Sequence, residues 1–299
     1  MKIKYIISIA LIFFIVGCSP KMETPAYIWV DSIEFHVVND NQGTASHKIT
    51  DIRLTVNGTS LGLYQFPTRI PVLASGNTRL IFEAGIIDGG VAAKRRKYPF
   101  YTAYFMEVNL KKGEIDTLLP KFTYTDSTKF YFIENFESAG YIFKAHKEGG
   151  APLEQTNDES LIFHYPKEPN NYSGIIELPY NDSIKYFEIR TTSQVELNAN
   201  KISYCLMELN FCITDDIEIG IITHSANSEI KDQQIALANL IGSKNQNPEW
   251  KKAYINYTEI IREAATSQMK NFDIYIKTYT PTSGKARFLF DNIKLVYSN

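Results

Sequence analysis

Residues 51–64 read DIRLTVNGTSLGLY. Ile52, Leu54 and Val56 alternate with Asp51, Arg53 and Thr55, a period of two that lays the apolar side chains on one face of a strand. Asn57-Gly58 comes next. Both central residues of a type I′ turn need φ > 0, and Asn-Gly meets that need. The spacing therefore predicts a hairpin, with the chain returning from Thr59. Similar short segments surround it: YIWVDSIEFHV from Tyr27, a turn at Ser75-Gly76-Asn77 before a strand over Thr78–Phe82, then AYFMEVNL and DTLLPKFTY. Turn signals every ~8–15 residues are the rhythm of a small antiparallel β-sandwich.

The same stretch holds Gly58-Thr59-Ser60-Leu61-Gly62, a G-x-S-x-G pattern. A nucleophile elbow needs a helix directly after the serine, so that the hydroxyl meets an oxyanion hole. Pro67 and Pro71 follow instead and exclude a normal helix there. Ser60 is read as the start of the returning strand.

The second half keeps the β pattern. KFYFIENFESAG opens it after Asp126-Ser127, and KARFLFDNIKLVYSN closes it. YCLMELNFCI, Asp215-Asp216 and IEIGIITH read as strand, turn and strand, because Asp favours turns through local backbone bonding. EIIREAATSQM reads as a short helix with Thr258 as its N-cap. DQQIALANLIG (Asp232–Gly242) has helix-favouring composition, but its place among strands predicts a strand.

The first twenty residues are MKIKYIISIALIFFIVGCSP. Lys2 and Lys4 precede an apolar run too short to cross a bilayer comfortably, and Gly17-Cys18 follows, the layout of a secretory signal peptide. Removing residues 1–17 leaves 29 basic against 33 acidic side chains, a formal charge of −4. No polybasic face is implied, so nucleic acid is not an expected partner. Lys94–Lys97, with Arg95 and Arg96, is read as a solvated loop or edge strand. Cys205 and Cys212 are seven residues apart on one strand, on opposite faces and too far apart for a disulfide. They are read as free thiols behaving as small hydrophobes. His36, His47, His146, His164 and His224 lack helical chelation spacing. No catalytic constellation emerges, and the chain is read as a non-enzyme.

The ending IVGCSP resembles a bacterial lipobox, which implies a lipidated Cys18 and a membrane partner through that anchor; two or more acyl chains would hold a soluble body stably. VNGTSLGLYQFPTRIPVLASGNTRLIF resembles PEGA-type modules, and HKITDIRLTVNG with GIIDGG and YPFY resembles uncharacterised Bacteroidota lipoproteins, which implies an outer-membrane location. The opening NFES and closing FDNI segments resemble the galactose-binding-like jelly rolls, which include carbohydrate-binding modules. That resemblance implies first and last strands side by side. It also implies a possible structural Ca²⁺ held by hard oxygen ligands, with Glu137 and Asp291 at the matching positions. Tyr141, Tyr172, Tyr180, Tyr186 and Trp250 are candidate sugar-stacking rings. The expected organisation is an all-β chain: signal peptide 1–17, lipidated tether 18–26, a small antiparallel β-sandwich over 27–125 and a β jelly roll over 126–299. The expected role is non-catalytic glycan binding, with an envelope-assembly subunit as the alternative and a glycoside-active enzyme trailing both.

Overall fold

Period-two alternation resolves into strands along most of the chain. The computed structural model describes residues 23–146, 150–178, 186–198, 200–225, 231–244, 248–266, 269–278 and 285–299. Cys18, its leader and Tyr180 lie outside the described residues. The first ten strands are β1 (Ala26–Val30), β2 (Glu34–His36), β3 (Asp51–Val56), β4 (Thr59–Gln65), β5 (Thr68–Val72), β6 (Gly76–Ile87), β7 (Arg95–Lys97), β8 (Tyr104–Leu110), β9 (Ile115–Thr117) and β10 (Lys121–Thr123).

The hairpin forms where its sequence demands. Asn57 and Gly58 have φ of 48° and 85°, and β3 pairs antiparallel with β4 from Val56–Thr59 outward. The Asn57 side-chain oxygen also accepts the Arg79 amide at 2.9 Å, tying the turn to β6. One sheet runs β4-β3-β6, with β7 and β8 sharing the far edge of β6; a second runs β5-β1-β9, and a two-stranded pair joins β10 to β2. Ile28, Ile52, Leu54, Phe82, Phe100 and Phe122 fill the core between them. This body is mixed rather than wholly antiparallel, since β9 runs parallel to β1 and β10 parallel to β2. Alternation reports which face a residue takes, not the direction of its partner strand.

The remaining strands are β11 (Lys129–Glu134), β12 (Phe143–Ala145), β13 (Glu154–Thr156), β14 (Ser173–Leu178), β15 (Phe187–Thr191), β16 (Val195–Glu196), β17 (Tyr204–Ile213), β18 (Ile217–Ser225), β19 (Gln233–Leu240), β20 (Lys251–Asn256), β21 (Met269–Thr278) and β22 (Ala286–Ser298). They form two facing six-stranded sheets. One runs β13-β14-β22-β17-β20 with β11 also on β22; the other runs β12-β15-β21-β18-β19 with β16 on β21. This is the jelly-roll arrangement, and β11 against β22 puts its first and last strands side by side. Met207, Leu209, Ile219, Ile221, Ile274 and Phe288 are among the apolar side chains between the sheets. The DQQIALANLIG stretch is β19, as its position predicted. One helix, α1 (Thr258–Thr266), follows β20. Thr258 is not its N-cap: the Ile261 amide bonds the Tyr257 carbonyl. The Thr258 hydroxyl instead accepts the Cys205 amide at 3.0 Å, so it anchors the helix to β17.

The two bodies meet over a buried polar centre on the outer face of the β22-β17-β20 sheet. Glu208 on β17 is fully buried and contacts Lys252 on β20 at 2.7 Å. Tyr98 and Tyr124 of the first body donate to its carboxylate at 2.5 and 3.0 Å. Lys294 on β22 donates to the Gln42 and Thr44 carbonyls, both at 2.7 Å, and Lys252 to the Ser46 carbonyl at 2.8 Å. Tyr254 meets the Tyr101 hydroxyl at 3.1 Å and accepts the Lys48 amide at 2.8 Å. Burial pushes the Glu208 carboxyl up, but the charges of Lys252 and Lys294 and its hydrogen bonds outweigh this and hold it below the usual range. Burial pushes Lys294 the other way, down to about 7, helped by the positive charge of Lys252.

Removing Glu208 leaves two buried ammonium groups without their counter-charge. Breaking a buried pair this way costs roughly 3–5 kcal/mol, whereas replacing both partners by apolar groups of similar volume is close to neutral. Glu208→Ala should therefore lower stability by about that amount in urea denaturation. The double replacement Glu208→Leu with Lys252→Met should recover part of the loss, because Lys294 stays without its counter-charge.

Candidate functional site

Ser60 sits exposed on the edge strand β4, opposite Thr55. It is a hairpin residue, with no helix after it. The five histidines do not converge. His36 pairs with Glu34 at the surface, and His47 packs on Phe35, with burial lowering its pKa to about 4. Cys205 and Cys212 are both free and buried, and burial raises both thiols, Cys212 to about 11, which makes them inert. Arg95–Lys97 forms the edge strand β7 and is matched by Asp51, Asp88 and Glu83. Asp215 and Asp216 occupy the β17–β18 turn, where Lys244 bridges them.

Glu137 and Asp291 are brought to the two sides of one segment, residues 170–173. Glu137 accepts the Asn171 amide at 2.7 Å, the Asn171 side chain at 2.9 Å and the Tyr172 amide at 3.0 Å. Asp291 is fully buried and accepts from the Ser173 hydroxyl at 2.5 Å and the Asn292 amide at 2.7 Å. The decisive group is the Asn170 side-chain nitrogen. Four oxygens converge on it: the Phe163 carbonyl at 3.0 Å, the Tyr172 carbonyl at 3.1 Å, the Ser173 hydroxyl at 3.5 Å and Asp291 at 3.0 Å. Carbonyls only accept, so the group between them is a donor. An amide –NH₂ lies among these oxygens and ties Asp291 to the segment that Glu137 also holds. Among the described residues, no group of three or more His, Cys, Asp or Glu side chains could hold a metal.

Burial raises the Asp291 carboxyl to about 7, against the hydrogen bonds of Ser173, Asn170 and Asn292. A raised carboxylate stabilises the fold while protonated, so its contribution is lost as pH rises from about 4 through 7. Asp291→Asn should gain stability relative to the parent over that window, on the order of a few kcal/mol, in urea denaturation at stepped pH. Heat on calorimetric titration with Ca²⁺ and a melting temperature lowered by a chelator are the results expected if Glu137 and Asp291 hold the ion; neither effect is expected if Asn170 keeps its place.

Of the candidate stacking rings, Trp250 packs edge-on against Phe163 at 5.3 Å and Tyr141 against Phe136 at 5.9 Å. Tyr172 is over a third exposed and Tyr186 half-buried. They do not form one platform.

A different constellation lies on the outer face of the second jelly-roll sheet. The first sheet is covered on one face by its partner sheet and, over β22-β17-β20, on the other by the first body. The second carries four registered rows of polar and small residues. Glu188, Lys277, Glu218 and Asn239 form one row; Lys144, Arg190, Tyr275, Gly220 and Ala236 form the next. Asp273 and Gln234 flank Ile222 in the third, and His224 faces Asn271 in the fourth. The Tyr275 ring lies across Gly220, where a Cβ would come within 2.5 Å of the hydroxyl. Tyr275 donates to Glu218 at 2.6 Å and Lys277 approaches the same oxygen at 3.0 Å. Burial pushes Glu218 up, but those hydrogen bonds and the Lys277 charge hold it below the usual range. His224 bridges Asp232 at 2.8 Å and Asp273 at 3.1 Å, and Arg190 grips Glu188 at 2.5 Å. The face is thus a sheltered array of fixed donors and acceptors, suited to hydroxyl-rich ligands. Each strand announced its share by alternation, as in FEIRT, IEIGIITH and FDIYIKT, but the rows exist only through inter-strand register.

No family model matches the chain, and no curated protein matches it. Several solved β-sandwich structures align with it. One, from work on the promiscuous specificity of carbohydrate-binding modules of the β-sandwich superfamily, is 12% identical with TM-score 0.39, covering 92% of this chain and 99% of that one. The family 11 carbohydrate-binding module from Clostridium thermocellum is 14% identical with TM-score 0.35, covering 56% and 94%. The K1 cleaved adhesin domain of Lys-gingipain from Porphyromonas gingivalis is 11% identical with TM-score 0.37, covering 56% and 96%. At these scores the likeness carries no argument about what this chain binds.

Proposed function

We propose that this chain is a lipid-anchored protein of the outer membrane whose second body binds a glycan without transforming it. The observation that carries this reading is the polar face of the β12-β15-β21-β18-β19 sheet. Arg190, Glu218, His224 and Asp273 stand there in fixed, partly sheltered positions on three neighbouring strands. Sugars offer dense hydroxyls, and groups whose geometry is already locked lose little freedom when they bind them. The anchor is Cys18, through the lipobox-like end of its leader, and the charge of −4 after removal of the leader argues against nucleic acid.

A glycan array followed by calorimetry tests the reading. One polysaccharide class should bind the parent. Arg190→Ala and Asp273→Asn should each weaken that binding by tenfold or more, measured at a temperature where calorimetry shows each variant folded. Binding unchanged in both variants would move the site off this face.

A second reading has its own observation. Phe105 is 56% exposed on β8, and Leu61 and Leu63 are exposed on β4 of the same sheet. Phe105 pairs with Ile81, and that row continues through Thr55 to Ser60 while Leu63 pairs with Arg53, so the exposed apolar side chains are spread among polar ones on this sheet. Exposed aromatic and aliphatic side chains on one sheet suit a protein neighbour in an envelope assembly.

A further inference from the structure

The two ends of the first body differ in a way that bears on how the protein sits. At one end the chain leaves residues 23–25 for β1. The Gly113 amide bonds the Pro25 carbonyl at 2.9 Å, Ala26 pairs with Val72 and Tyr27 with Ile115. Gly76 pairs with Leu110 at the same end. Strand β6 runs from there to the junction with the jelly roll, where Asp88 bridges Tyr254 and the Gly89 amide bonds the Tyr254 carbonyl at 2.7 Å. Its twelve residues span about 36 Å at roughly 3.3 Å each.

We propose that the first body is a rigid spacer standing on the bilayer by this end, with Leu73, Ile115, Lys111 and Lys112 meeting the lipid headgroups. The proposal rests on the reading that Cys18 is lipidated. Four residues lie between Cys18 and Glu23, so over these five steps a lipidated Cys18 holds Glu23 within about 18 Å of the membrane surface. The chemistry of the end suits that place. Leu73 is 72% exposed and Ile115 is 52% exposed; Leu73 follows Val72, the partner of Ala26, and Ile115 follows the Lys111–Glu114 turn that bonds Pro25. Apolar side chains flanked by lysines seat at a headgroup boundary, the amines reaching phosphate while the stems cover apolar surface. Among the described residues Lys111 pairs with Glu114, at the exposed surface, and such a pair is readily exchanged for lipid phosphate. At the far end of β6 the buried Glu208 centre fixes the jelly roll to the spacer, which holds its polar sheet face off the bilayer.

The test uses the full lipidated chain reconstituted into phosphatidylethanolamine–phosphatidylglycerol vesicles. Leu73→Cys and, at the opposite end, Ile241→Cys each take a thiol-reactive fluorophore, Cys205 and Cys212 being buried. Nitroxide-labelled lipid is the quencher, and the intact mass is recorded for each sample. The expected result is a lipid adduct on Cys18 and several-fold stronger quenching at position 73 than at 241. Equal quenching at both positions with the lipid present would overturn the spacer while leaving the anchor standing. A mass without lipid would overturn both.

Discussion

A single negative charge, that of Glu208, determines how the two bodies fit together. It lies on a central strand with no exposed surface, and Lys252 and Lys294 are the groups its own sheet places to neutralise it. Lys252 and Lys294 supply positive charge from the neighbouring strands, and the first body supplies the hydroxyls of Tyr98 and Tyr124. Uncovered, this face would carry solvated charges. Covered by anything other than this tyrosine-rich surface, it would carry buried charges without hydrogen bonds, at several kcal/mol per group. The polar centre therefore selects one docking geometry, and the surrounding apolar contacts of Leu206, Tyr254 and Val296 with the first body's core add the bulk of the attraction.

That docking decides where a ligand could be met. A jelly roll has two outward faces, and here one is spent on the junction. The remaining face carries the registered array of Arg190, Tyr275, Asp273, Glu218 and His224. The same logic explains the composition of the strands. YCLMELNFCI and RFLFDNIKLVY are almost continuously buried because this part of their sheet is covered on both sides, and their polar members, Glu208, Asn210, Asp291, Asn292 and Lys294, are buried with the rest. FEIRT and FDIYIKT alternate because their outer side is polar.

The legible parts of the fold were those written in local chemistry. Asn57-Gly58 specified its hairpin through φ alone, and the turn at Asp215-Asp216 followed from side-chain bonding to the backbone. The β character of both halves followed from alternation, including β19, where position outweighed a helix-favouring composition. What escaped were relations between distant segments. Thr258 looks like a helix cap but bonds β17, fifty-three residues away. Glu208 reads as one more polar residue in a strand until Tyr98 and Tyr124 are seen to meet it. Glu137 and Asp291 do hold the same segment, but Asn170, which ties Asp291 to it, carries no motif. The rows of the polar face depend on register, which hydrophobic pattern fixes only modulo two residues.

The central claim is that the buried charge centre makes the two bodies one cooperative unit. Differential scanning calorimetry of the whole protein tests it most directly. A single transition with equal calorimetric and van't Hoff enthalpies is the expected result. Two separable transitions, one for each body, would contradict it.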